Sequence, residues 1–364
     1  MKVAIIHDWL TNMGGAEQVV INLKKCFPDA PIYTTFYTPD NLSEELKNIE
    51  VHTSFLQKKD KKIIDHKKYF PLMPLAFSRF NLKDYDLIIS SCSSCSKGVH
   101  ARKGAAHICY CHTPMRYAWE KEDEYTEEMG NIKKKLVNIF LRYMRHWDVK
   151  SSNRVDYFIA NSNEVKKRIK NHYNRDAVVI NPPVRCNMFD ISETDGDYYL
   201  VLSRLVKYKR YDLAVQACKE LDKKLVVIGE GPEKEKLEKL AEGNNNITFL
   251  GRQPDEIVKK YMAECKALIF PGEEDFGIVP VEAEACGRPV IAYGKGGILD
   301  SVIPDKTGVF FNEQTVESLK EAIIKCETMK FDKKEIRQHA LQFDEKEFRR
   351  KILEFVEKVV EEKK

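Results

Sequence analysis

The chain has 364 residues, more than a single average domain usually needs, so its length predicts two domains. Hydrophobic residues make up 43% of the chain and charged residues 32%, which excludes a disordered polypeptide. The net charge is only +4, and no apolar run approaches the roughly 18 residues that a membrane span needs. Because the N-terminus also lacks the pattern of a secretion signal, we expect a cytoplasmic protein.

Strand and helix patterns alternate along almost the whole chain. Short runs rich in valine and isoleucine are separated by helical patterns of about ten to fifteen residues, which is typical of parallel sheets. A break at 181–197, with two prolines and an acidic run, divides the pattern. We predict an α/β chain of two doubly wound domains, 1–181 and 182–344, and a closing helix, 345–364, that packs on the first. The N-cap and apolar stripe predicted for that helix are Asp344, Phe348, Ile352, Phe355 and Val359.

A glycine turn follows the first predicted strand, KVAII. Gly14 and Gly15 stand where the next helix begins, so their backbone can approach a phosphate or an acceptor closely. The turn lacks the GK[ST] sequence of a P-loop, so NTP hydrolysis is not expected.

Polar residues also follow two later strands of the first domain. Lys97 comes after DLIISS, and His112 ends AAHICYCH, with Arg116 and Tyr117 just beyond it. Polar and aromatic side chains after a strand end fit a wall that binds a sugar. A purely structural histidine is the alternative interpretation of His112.

Ten cysteines are spread over the chain, which is typical of reduced, mostly buried thiols rather than of a disulfide framework. By spacing alone, Cys92, Cys95, Cys109, Cys111 and His112 are candidates for a zinc site. Strand periodicity instead places Cys109 and Cys111 on one face as packing residues, so we expect no metal there.

Two basic segments are candidates for contact with an anionic lipid surface. Residues 58–68 are dense in lysine, and residues 133–147 form an amphipathic helical pattern. The alternatives are a solvated loop and an ordinary core-facing helix. The residues predicted on one face of that helix, with the arginines beside it, are Leu136, Phe140, Tyr143, Trp147, Arg142 and Arg145.

In the second domain, cations and glycines follow strands at the edge where open α/β sheets bind ligands. Arg204 and Lys209 come after YLVLSR and suit a diphosphate, although surface cations on a connecting loop remain the alternative. Gly229 ends KLVVIG, but Lys234 stands where a third Rossmann glycine would be. A nicotinamide cofactor is therefore not expected.

Two glutamates flank the turn after the strand ALIFPG. We predict Pro280 as the first residue of the next helix, which places Glu282 in the first turn and Glu274 in the preceding loop. Helix capping would explain Glu282 but explains Glu274 poorly. A helix N-terminus favours anions, and the amides near this one are those of Phe276, Gly277 and Ile278. Together, cations, amides and carboxylates suit a nucleotide-sugar.

In this order, the residues resemble a known family, the retaining glycosyltransferases of family GT4, which have the GT-B fold of two Rossmann-like domains facing a cleft. The resemblance covers nearly the whole chain, and Ser203 departs from a glycine that is common in the family. The segments GGAE and CYCHTPMRYAWE resemble the branch of bacterial mannosyltransferases of O-antigen and exopolysaccharide assembly. The other matching parts are Ser203-Arg204-Leu205 with Lys209, VIGEGP, FLGRQP, and Glu274-x7-Glu282 followed by ACGRPVIA.

The resemblance implies a role for each matching residue. Arg204 and Lys209 would hold the donor diphosphate in the second domain. Glu274 would contact the transferred sugar, with His112 beside it, and Glu282 would contact the ribose. The other implied donor contacts are Gly14, Gly15, Gly229 and the backbone of Phe276, Gly277 and Ile278. On the acceptor side, in the first domain, the candidates are Lys97, Arg116 and Tyr117.

The resemblance also implies transfer of a sugar with retention at the anomeric carbon, without a metal or a cofactor. Asp195-Gly196-Asp197 precedes a strand and is interpreted as a turn. GDP-mannose is the first donor to test, and the acceptor would be a glycan or a lipid-linked saccharide. We expect the acceptor to be reached from the cytoplasm, with peripheral attachment at the inner face of the plasma membrane as a further hypothesis. A UDP-sugar donor, phosphorolysis, epimerisation and non-catalytic binding remain alternatives. No nucleic-acid partner is expected, because the lysine runs lack interleaved aromatic residues outside 133–147.

Overall fold

The computed structural model describes residues 1–57, 66–120 and 130–363. They divide into two compact units, one formed by Met1–Pro182 with Phe348–Lys364 and the other by Pro183–Glu347. The division falls between two consecutive prolines. Because neither proline has a backbone N–H, this segment is poorly suited to continue the strand before it.

Unit 1 is built around one sheet of seven strands, in which every neighbouring pair is parallel. The strand order is β3-β2-β1-β4-β5-β6-β7, so the order reverses between β1 and β4. The strands are β1 (Val3–His7), β2 (Ile32–Thr34), β3 (Val51–Thr53), β4 (Leu87–Cys92), β5 (Ala106–Cys111), β6 (Tyr157–Ala160) and β7 (Ala177–Val179).

Unit 2 repeats this plan with a sheet of six parallel strands, in the order β10-β9-β8-β11-β12-β13. Its order reverses between β8 and β11. The strands are β8 (Tyr199–Leu202), β9 (Leu225–Ile228), β10 (Ile247–Gly251), β11 (Ala267–Phe270), β12 (Val290–Tyr293) and β13 (Gly308–Phe311). The predicted α/β class with two doubly wound sheets is confirmed.

Helices connect the parallel strands in both units. In the described part of unit 1 they are α1 (Gly15–Cys26), α2 (Glu44–Lys47), α3 (Met73–Ser78), α4 (Arg116–Trp119), α5 (Asn131–Ser152) and α6 (Asn163–Tyr173). From unit 2 to the C-terminus they are α7 (Tyr211–Glu220), α8 (Lys234–Ala241), α9 (Asp255–Glu264), α10 (Ile278–Ala285), α11 (Ile298–Ser301), α12 (Val316–Thr328), α13 (Lys333–Ala340) and α14 (Glu345–Glu362).

Each sheet is covered on both faces, because alternate strand residues point to opposite sides. In β1, Ile5 packs into one apolar cluster while Ala4 and Ile6 pack into another. In β8, Val201 and Leu200 divide between two clusters of unit 2 in the same way. The strands are therefore mostly apolar, and most exposed polar groups lie where the strands end.

The closing helix α14 packs on the core of unit 1. Phe348, Ile352, Val356 and Val359 are buried there, and each fully buried side chain contributes about 1.5 to 3 kcal/mol. Phe355, which the sequence places in the stripe, is only partly buried. The predicted N-cap is confirmed, since an Asp344 Oδ1 accepts the backbone N–H of Lys346 at 2.9 Å.

The face that the sequence predicts on helix α5 is divided between the surface and the core. Leu141, Met144 and Asp148 are buried, whereas Leu136 and Tyr143 are more than half exposed, as is Ile139. Phe140 and Trp147 flank the buried face. Of the lysine-rich segment, residues 58–65 lie outside the described part of the chain. None of the described helices combines the length and the apolar character that crossing a bilayer requires.

Candidate functional site

The two points where the strand order reverses are where open α/β sheets bind ligands, at the carboxyl ends of the strands. In unit 2 this point lies beyond Leu202 of β8 and Phe270 of β11. In unit 1 it lies beyond His7 of β1 and Cys92 of β4.

In unit 2, glycines let the loop after β9 support the loop after β8. Gly229 has φ +143°, and a Cβ there would lie 1.9 Å from the carbonyl oxygen of Ser203. A Cβ on Gly231 would lie 2.1 Å from the oxygen of Leu205, whose N–H donates to Glu230. Arg204 stands between these two supported residues, and its side chain is exposed. Gly229 therefore holds the Arg204 loop in place, in addition to any contact with a ligand.

Lys209 lies at the end of a short 3₁₀ turn, Lys207–Lys209, in the same loop. Its ammonium forms an ion pair with Oε1 of Glu274, and the two side chains are 10% and 19% exposed. The ammonium also lies 5.6 Å from the ring centre of Phe270. A Cβ on Gly272 would lie 2.9 Å from the Cα of Lys209, so this glycine allows the two loops to meet. A predicted cation and a predicted acid are thus brought together.

The loop that carries Glu274 packs closely against two glycines that follow β12, Gly296 and Gly297. The carbonyl oxygen of Glu274 accepts the N–H of Gly297 at 2.8 Å. A Cβ on Gly297 would lie 2.0 Å from the oxygen of Asp275, and one on Gly296 would lie 2.6 Å from that of Glu274. Glycine is therefore needed at both positions, because a side chain would collide with the backbone of the Glu274 loop.

Helix α10 begins two residues earlier than the sequence predicts. Gly277, with φ +91°, precedes the first helical residue, Ile278, so Pro280 is the third residue of the helix. Its missing N–H still falls among the first four amides, which have no partner within a helix. Glu282 consequently lies in the second turn, and the prediction that it lies in the first turn is wrong. Capping of α10 therefore does not explain Glu282.

The backbone ahead of α10 is anchored by Phe276, whose side chain is buried against Phe343 with ring centres 5.7 Å apart. Among the turn and loop hydrogen bonds of the described residues, none is donated by the amides of Phe276, Gly277 or Ile278. These three amides stand at a helix N-terminus, where the helix dipole favours an anion.

Glu282 is half-buried, and its environment disfavours a charge. Desolvation raises the pKa of its carboxyl to about 7, the charge of Asp255 acts in the same direction, and Arg185 opposes it. Burial therefore favours the protonated form of Glu282, which can donate a hydrogen bond, more than in a solvated glutamate.

In unit 1, the carboxylate of Asp8 organises the loop after β4. It accepts four backbone N–H groups at 2.7 to 2.9 Å, and its own side chain is 1% exposed. Hydrogen bonds from backbone N–H groups to a carboxylate are charge-assisted and strong, so Asp8 holds the backbone of this loop in one conformation. The four donors are Ser93, Ser94, Cys95 and Ser96.

His112 follows β5 at the same edge of the sheet and belongs to a chain of polar side chains. Its Nε2 lies 2.8 Å from Oγ of Ser91, which lies 3.1 Å from Nδ1 of His7. The other nitrogen of His7 lies 3.5 Å from a carboxylate oxygen of Glu17. Desolvation, with a smaller contribution from His7, lowers the pKa of His112 to about 3. His7, Ser91 and Glu17 were not predicted as site residues, although His7 directly ends β1.

The acceptor-side candidates differ in their exposure. Lys97 is 1% exposed, and its ammonium forms an ion pair with Asp148, which also accepts the Nε1–H of Trp119 at 2.9 Å. Its charge is therefore used inside the fold, which opposes the expectation that Lys97 meets an acceptor directly. Arg116 and Tyr117 are half-buried on α4, and the hydroxyl of Tyr117 lies 3.0 Å from Oγ of Ser94.

Gly14 and Gly15 stand at the N-terminus of α1, as the sequence predicts. Gly15 is the first helical residue, Gly14 has extended backbone angles, and both are exposed. A Cβ on Gly14 would lie 3.0 Å from Oε2 of Glu17, so a larger residue would press on that carboxylate.

Neither the cysteines nor the acidic turn Asp195-Gly196-Asp197 forms a metal site in the described residues. All ten cysteines are free thiols, and in the described residues there is no group of three or more His, Cys, Asp or Glu side chains placed to hold a metal ion. Asp195 pairs with Lys333 and Arg288, whose cations lower its pKa, and Asp197 pairs with Lys266.

The fold and these two strand edges define an α/β protein of two doubly wound sheets, a class in which ligands bind at the carboxyl ends of the strands. Comparison with known proteins gives the family. Residues 13–187 match the family described as Glycosyltransferase Family 4, and residues 188–343 match the family described as glycosyl transferases group 1. The two matches run without a gap from residue 13 to residue 343, and the chain is a glycosyltransferase of these families.

Relatives with assigned activities include mannosyltransferases. The α-1,3/1,6-mannosyltransferase ALG2 of Saccharomyces cerevisiae is 25% identical over 368 residues, which are 82% of this chain and 71% of the yeast protein. A GDP-mannose-dependent phosphatidylinositol monomannoside mannosyltransferase of Mycolicibacterium smegmatis is 30% identical over 145 residues, 35% of this chain and 38% of that protein. An uncharacterised glycosyltransferase of Methanocaldococcus jannaschii is 31% identical over 172 residues, and the match spans about half of each protein, 46% and 49%.

Solved structures share the fold across the whole chain. Anabaena HepE, crystallised with UDP, superposes with a TM-score of 0.72 at 19% identity and covers 98% of this chain and 100% of its own. Sucrose-phosphate synthase of Thermosynechococcus elongatus gives a TM-score of 0.72 at 16% identity, with 99% of each chain covered. At these identities the likeness establishes the fold, which is GT-B.

Proposed function

We propose that the protein is a retaining glycosyltransferase that moves a sugar from a nucleotide-diphosphate donor, with GDP-mannose as the first candidate, to a glycan or a lipid-linked saccharide. The observation that carries this proposal is the meeting of Lys209 and Glu274 where the strand order of unit 2 reverses, with Arg204 exposed in the same loop. A cation and an acid held together there can contact the diphosphate and a sugar hydroxyl of one donor molecule.

The proposed division of labour follows from charge. Arg204 and Lys209 stabilise the diphosphate as it leaves, helped by the amides at the start of α10. Glu274 cannot face a phosphate without repulsion, so it accepts hydrogen bonds from hydroxyls of the transferred sugar. Glu282 forms a hydrogen bond with a ribose hydroxyl. Its carboxyl can accept this hydrogen bond when ionised and can donate one when protonated. In this proposal no metal ion takes part, and the acceptor hydroxyl attacks from the face that the diphosphate leaves.

Unit 1 supplies the remaining groups in this proposal. His112 contacts the transferred sugar, and the exposed amides of Gly14 and Gly15 approach the donor or the acceptor. Arg116 and Tyr117, which are partly accessible on α4, line the acceptor side. Gly229 acts on the donor through the Arg204 loop that it supports.

The names of relatives favour a mannose donor. ALG2 is named a mannosyltransferase, and the mycobacterial relative is named as GDP-mannose-dependent. A UDP-hexose is the second candidate, because HepE has been crystallised with UDP and with UDP-glucose. A thermal-shift screen of GDP-mannose, UDP-glucose and ADP-glucose separates these candidates. Stabilisation by GDP-mannose alone supports the first, whereas stabilisation by UDP-glucose alone replaces it with the second.

We propose that an anionic lipid surface is the partner that brings the protein to lipid-linked acceptors. Leu136, Ile139 and Tyr143 form an exposed apolar stripe on α5, and the cations Lys135 and Arg142 are exposed beside it. The predicted arginine Arg145 does not belong to this surface, because its guanidinium donates to the carbonyl oxygen of Ala118.

Sedimentation with phosphatidylserine-containing vesicles tests this surface. The double variant Lys135→Glu/Arg142→Glu should lose most of its binding at physiological salt, because both charges would then repel the lipid. The matched control is Lys236→Glu/Lys239→Glu, which makes the same change of charge on an exposed face of α8. Equal loss in both variants, or loss in neither, contradicts the proposal.

A further inference from the structure

A polar chain of four side chains runs across the carboxyl edge of the unit 1 sheet. It starts at Glu17 in the first turn of α1, passes through His7 and Ser91, and ends at His112. His7 and Ser91 are direct partners in the pairing of β1 with β4, so the sheet itself fixes their spacing. The N–H of His112 donates to the carbonyl oxygen of Cys92 at 2.8 Å, which anchors the end of the chain to β4 as well.

The oxygen atoms in this chain determine where its protons lie. Nδ1 of His7 faces the carbonyl oxygen of Ser91 at 3.3 Å and its hydroxyl oxygen at 3.1 Å. A carbonyl oxygen only accepts, so Nδ1 of His7 carries a proton. The hydroxyl of Ser91 then accepts from His7 and has its own proton to donate. The only other ring nitrogen that this hydroxyl meets in the described structure is Nε2 of His112, at 2.8 Å.

Nε2 of His112 is therefore an acceptor, and in a neutral ring the proton must sit on Nδ1. The ring is neutral, because desolvation and the nearby His7 lower its pKa to about 3. At the other end of the chain of side chains, Nε2 of His7 lies 3.5 Å from a carboxylate oxygen of Glu17. Among the residues that the structure describes, no protein group forms a hydrogen bond with Nδ1 of His112.

We propose that Glu17, His7 and Ser91 are positioning residues that hold His112 as the neutral tautomer with its proton on Nδ1. His112 then offers its ligand a hydrogen-bond donor and cannot accept a proton at that nitrogen, so it is not a general base there. The inference rests on the proposed function in one respect, since the ligand that receives this hydrogen bond is taken to be an oxygen of the transferred sugar.

The ring nitrogens of His112 can be observed directly in the full chain labelled with ¹⁵N-histidine. Long-range ¹H–¹⁵N correlation spectra, assigned with His112→Gln, should show a protonated Nδ1 and an unprotonated Nε2 in the wild type. Ser91→Ala should populate the tautomer protonated at Nε2, and Ser91→Thr, which keeps the hydroxyl, should restore the wild-type pattern. The matched control is Ser90→Ala, which removes the buried hydroxyl 2.9 Å from Nε2 of His107 and should leave the His112 pattern unchanged.

A wild-type His112 protonated at Nε2, or a pattern that Ser91→Ala does not alter, overturns the proposal. The readout needs no substrate, so it remains decisive even if every nucleotide-sugar fails to bind and the proposed function falls. In a transfer assay, Ser91→Ala in the wild-type background should lower kcat about tenfold, which is the effect of losing one well-placed hydrogen bond. In the His112→Ala background, the same substitution should have no further effect on kcat. Equal losses in both backgrounds would assign Ser91 a general structural role instead.

Discussion

The ammonium of Lys209 contacts the carboxylate of Glu274 and thereby joins the loop after β8 to the loop after β11. The pair is mostly buried, so each charge depends on the other for compensation in an environment with little water. In the proposed function, the donor diphosphate shares Lys209 with Glu274, which would couple recognition of the diphosphate to the position of the acid at the sugar.

Replacing Glu274 should strongly reduce transfer in a chain that still folds, although with lower stability because the buried ammonium of Lys209 loses its partner. Glu274→Ala removes the proposed hydroxyl acceptor, and Glu274→Gln keeps the shape but loses the charge that holds Lys209. We expect at least about a hundredfold loss of kcat in both variants, comparable to the loss of a preorganised contact in an active site. The control is Glu273→Ala, which removes the neighbouring acid that pairs with Lys295. Turnover of Glu274→Ala close to that of the control would refute the assignment.

Loss of either cation should weaken binding of the nucleotide diphosphate. A hydrogen bond to a charged group contributes about 1.5 to 3 kcal/mol, so Arg204→Ala and Lys209→Ala should each raise the Kd roughly tenfold to a hundredfold. Calorimetric titration with GDP and UDP measures this directly. Lys207→Ala, an exposed cation of the same loop, serves as the control. An affinity unchanged in Arg204→Ala and Lys209→Ala would exclude the proposed clamp.

Glu282 should make the protein less stable as the pH rises from about 4.5 to about 7. Burial raises the pKa of this carboxyl from 4.5 to about 7, so in that window the folded state binds more protons than the unfolded state. The free energy of unfolding therefore falls across the window and levels off above it. Glu282→Gln has no charge to desolvate, so its stability relative to the wild type should increase by about 2 kcal/mol between pH 5 and pH 8.

Urea unfolding at the two pH values gives this difference, and other titrating groups cancel between variant and wild type. Glu256→Gln, at an exposed position of α9, is the control and should show no comparable change. A relative stability of Glu282→Gln that is the same at both pH values would show that the carboxyl is not desolvated.

Gly229→Ala should impair both stability and donor binding, because its Cβ would collide with the carbonyl oxygen of Ser203. Gly243→Ala separates strain from collision: Gly243 has φ +78°, but nothing lies within 4 Å of a Cβ there. We expect Gly243→Ala to cost about 1 kcal/mol with donor affinity unchanged, and Gly229→Ala to cost more and to weaken GDP binding. Thermal unfolding and calorimetry measure the two effects. Equal costs, with equal affinities, would contradict the supporting role of Gly229.

The sequence predicts the long apolar strands well and the short ones poorly. Runs such as KVAII and KLVVIG form strands because buried parallel strands are apolar throughout. The three-residue strands β2, β3 and β7 carry too little pattern to be recognised, and pairing with a neighbour in the sheet determines them instead. The face predicted on α5 is divided between the surface and the core, because periodicity gives the spacing of apolar residues but not which of two adjacent stripes meets the core.

The site follows the sequence where residues end strands and departs from it where tertiary contacts intervene. Arg204, Lys209 and Glu274 lie at the predicted strand ends, but their mutual contact depends on the unpredictable approach of two loops at Gly272. Lys97 also follows a strand, but its ammonium forms a buried ion pair with Asp148, which lies 51 residues later in the sequence. Such a partner leaves no local signal in the sequence.

Release of nucleotide from GDP-mannose, with water in place of the acceptor, tests the central claim most directly because it needs no knowledge of the natural acceptor. Time-resolved ¹H NMR in the presence of a chelator follows both GDP and the first anomer of mannose to appear. The proposed function predicts slow release of GDP that Glu274→Ala abolishes, with mannose first appearing in the anomeric configuration that it had in the donor. Absence of release from GDP-mannose, UDP-glucose and ADP-glucose, or first appearance of the opposite anomer, would contradict it.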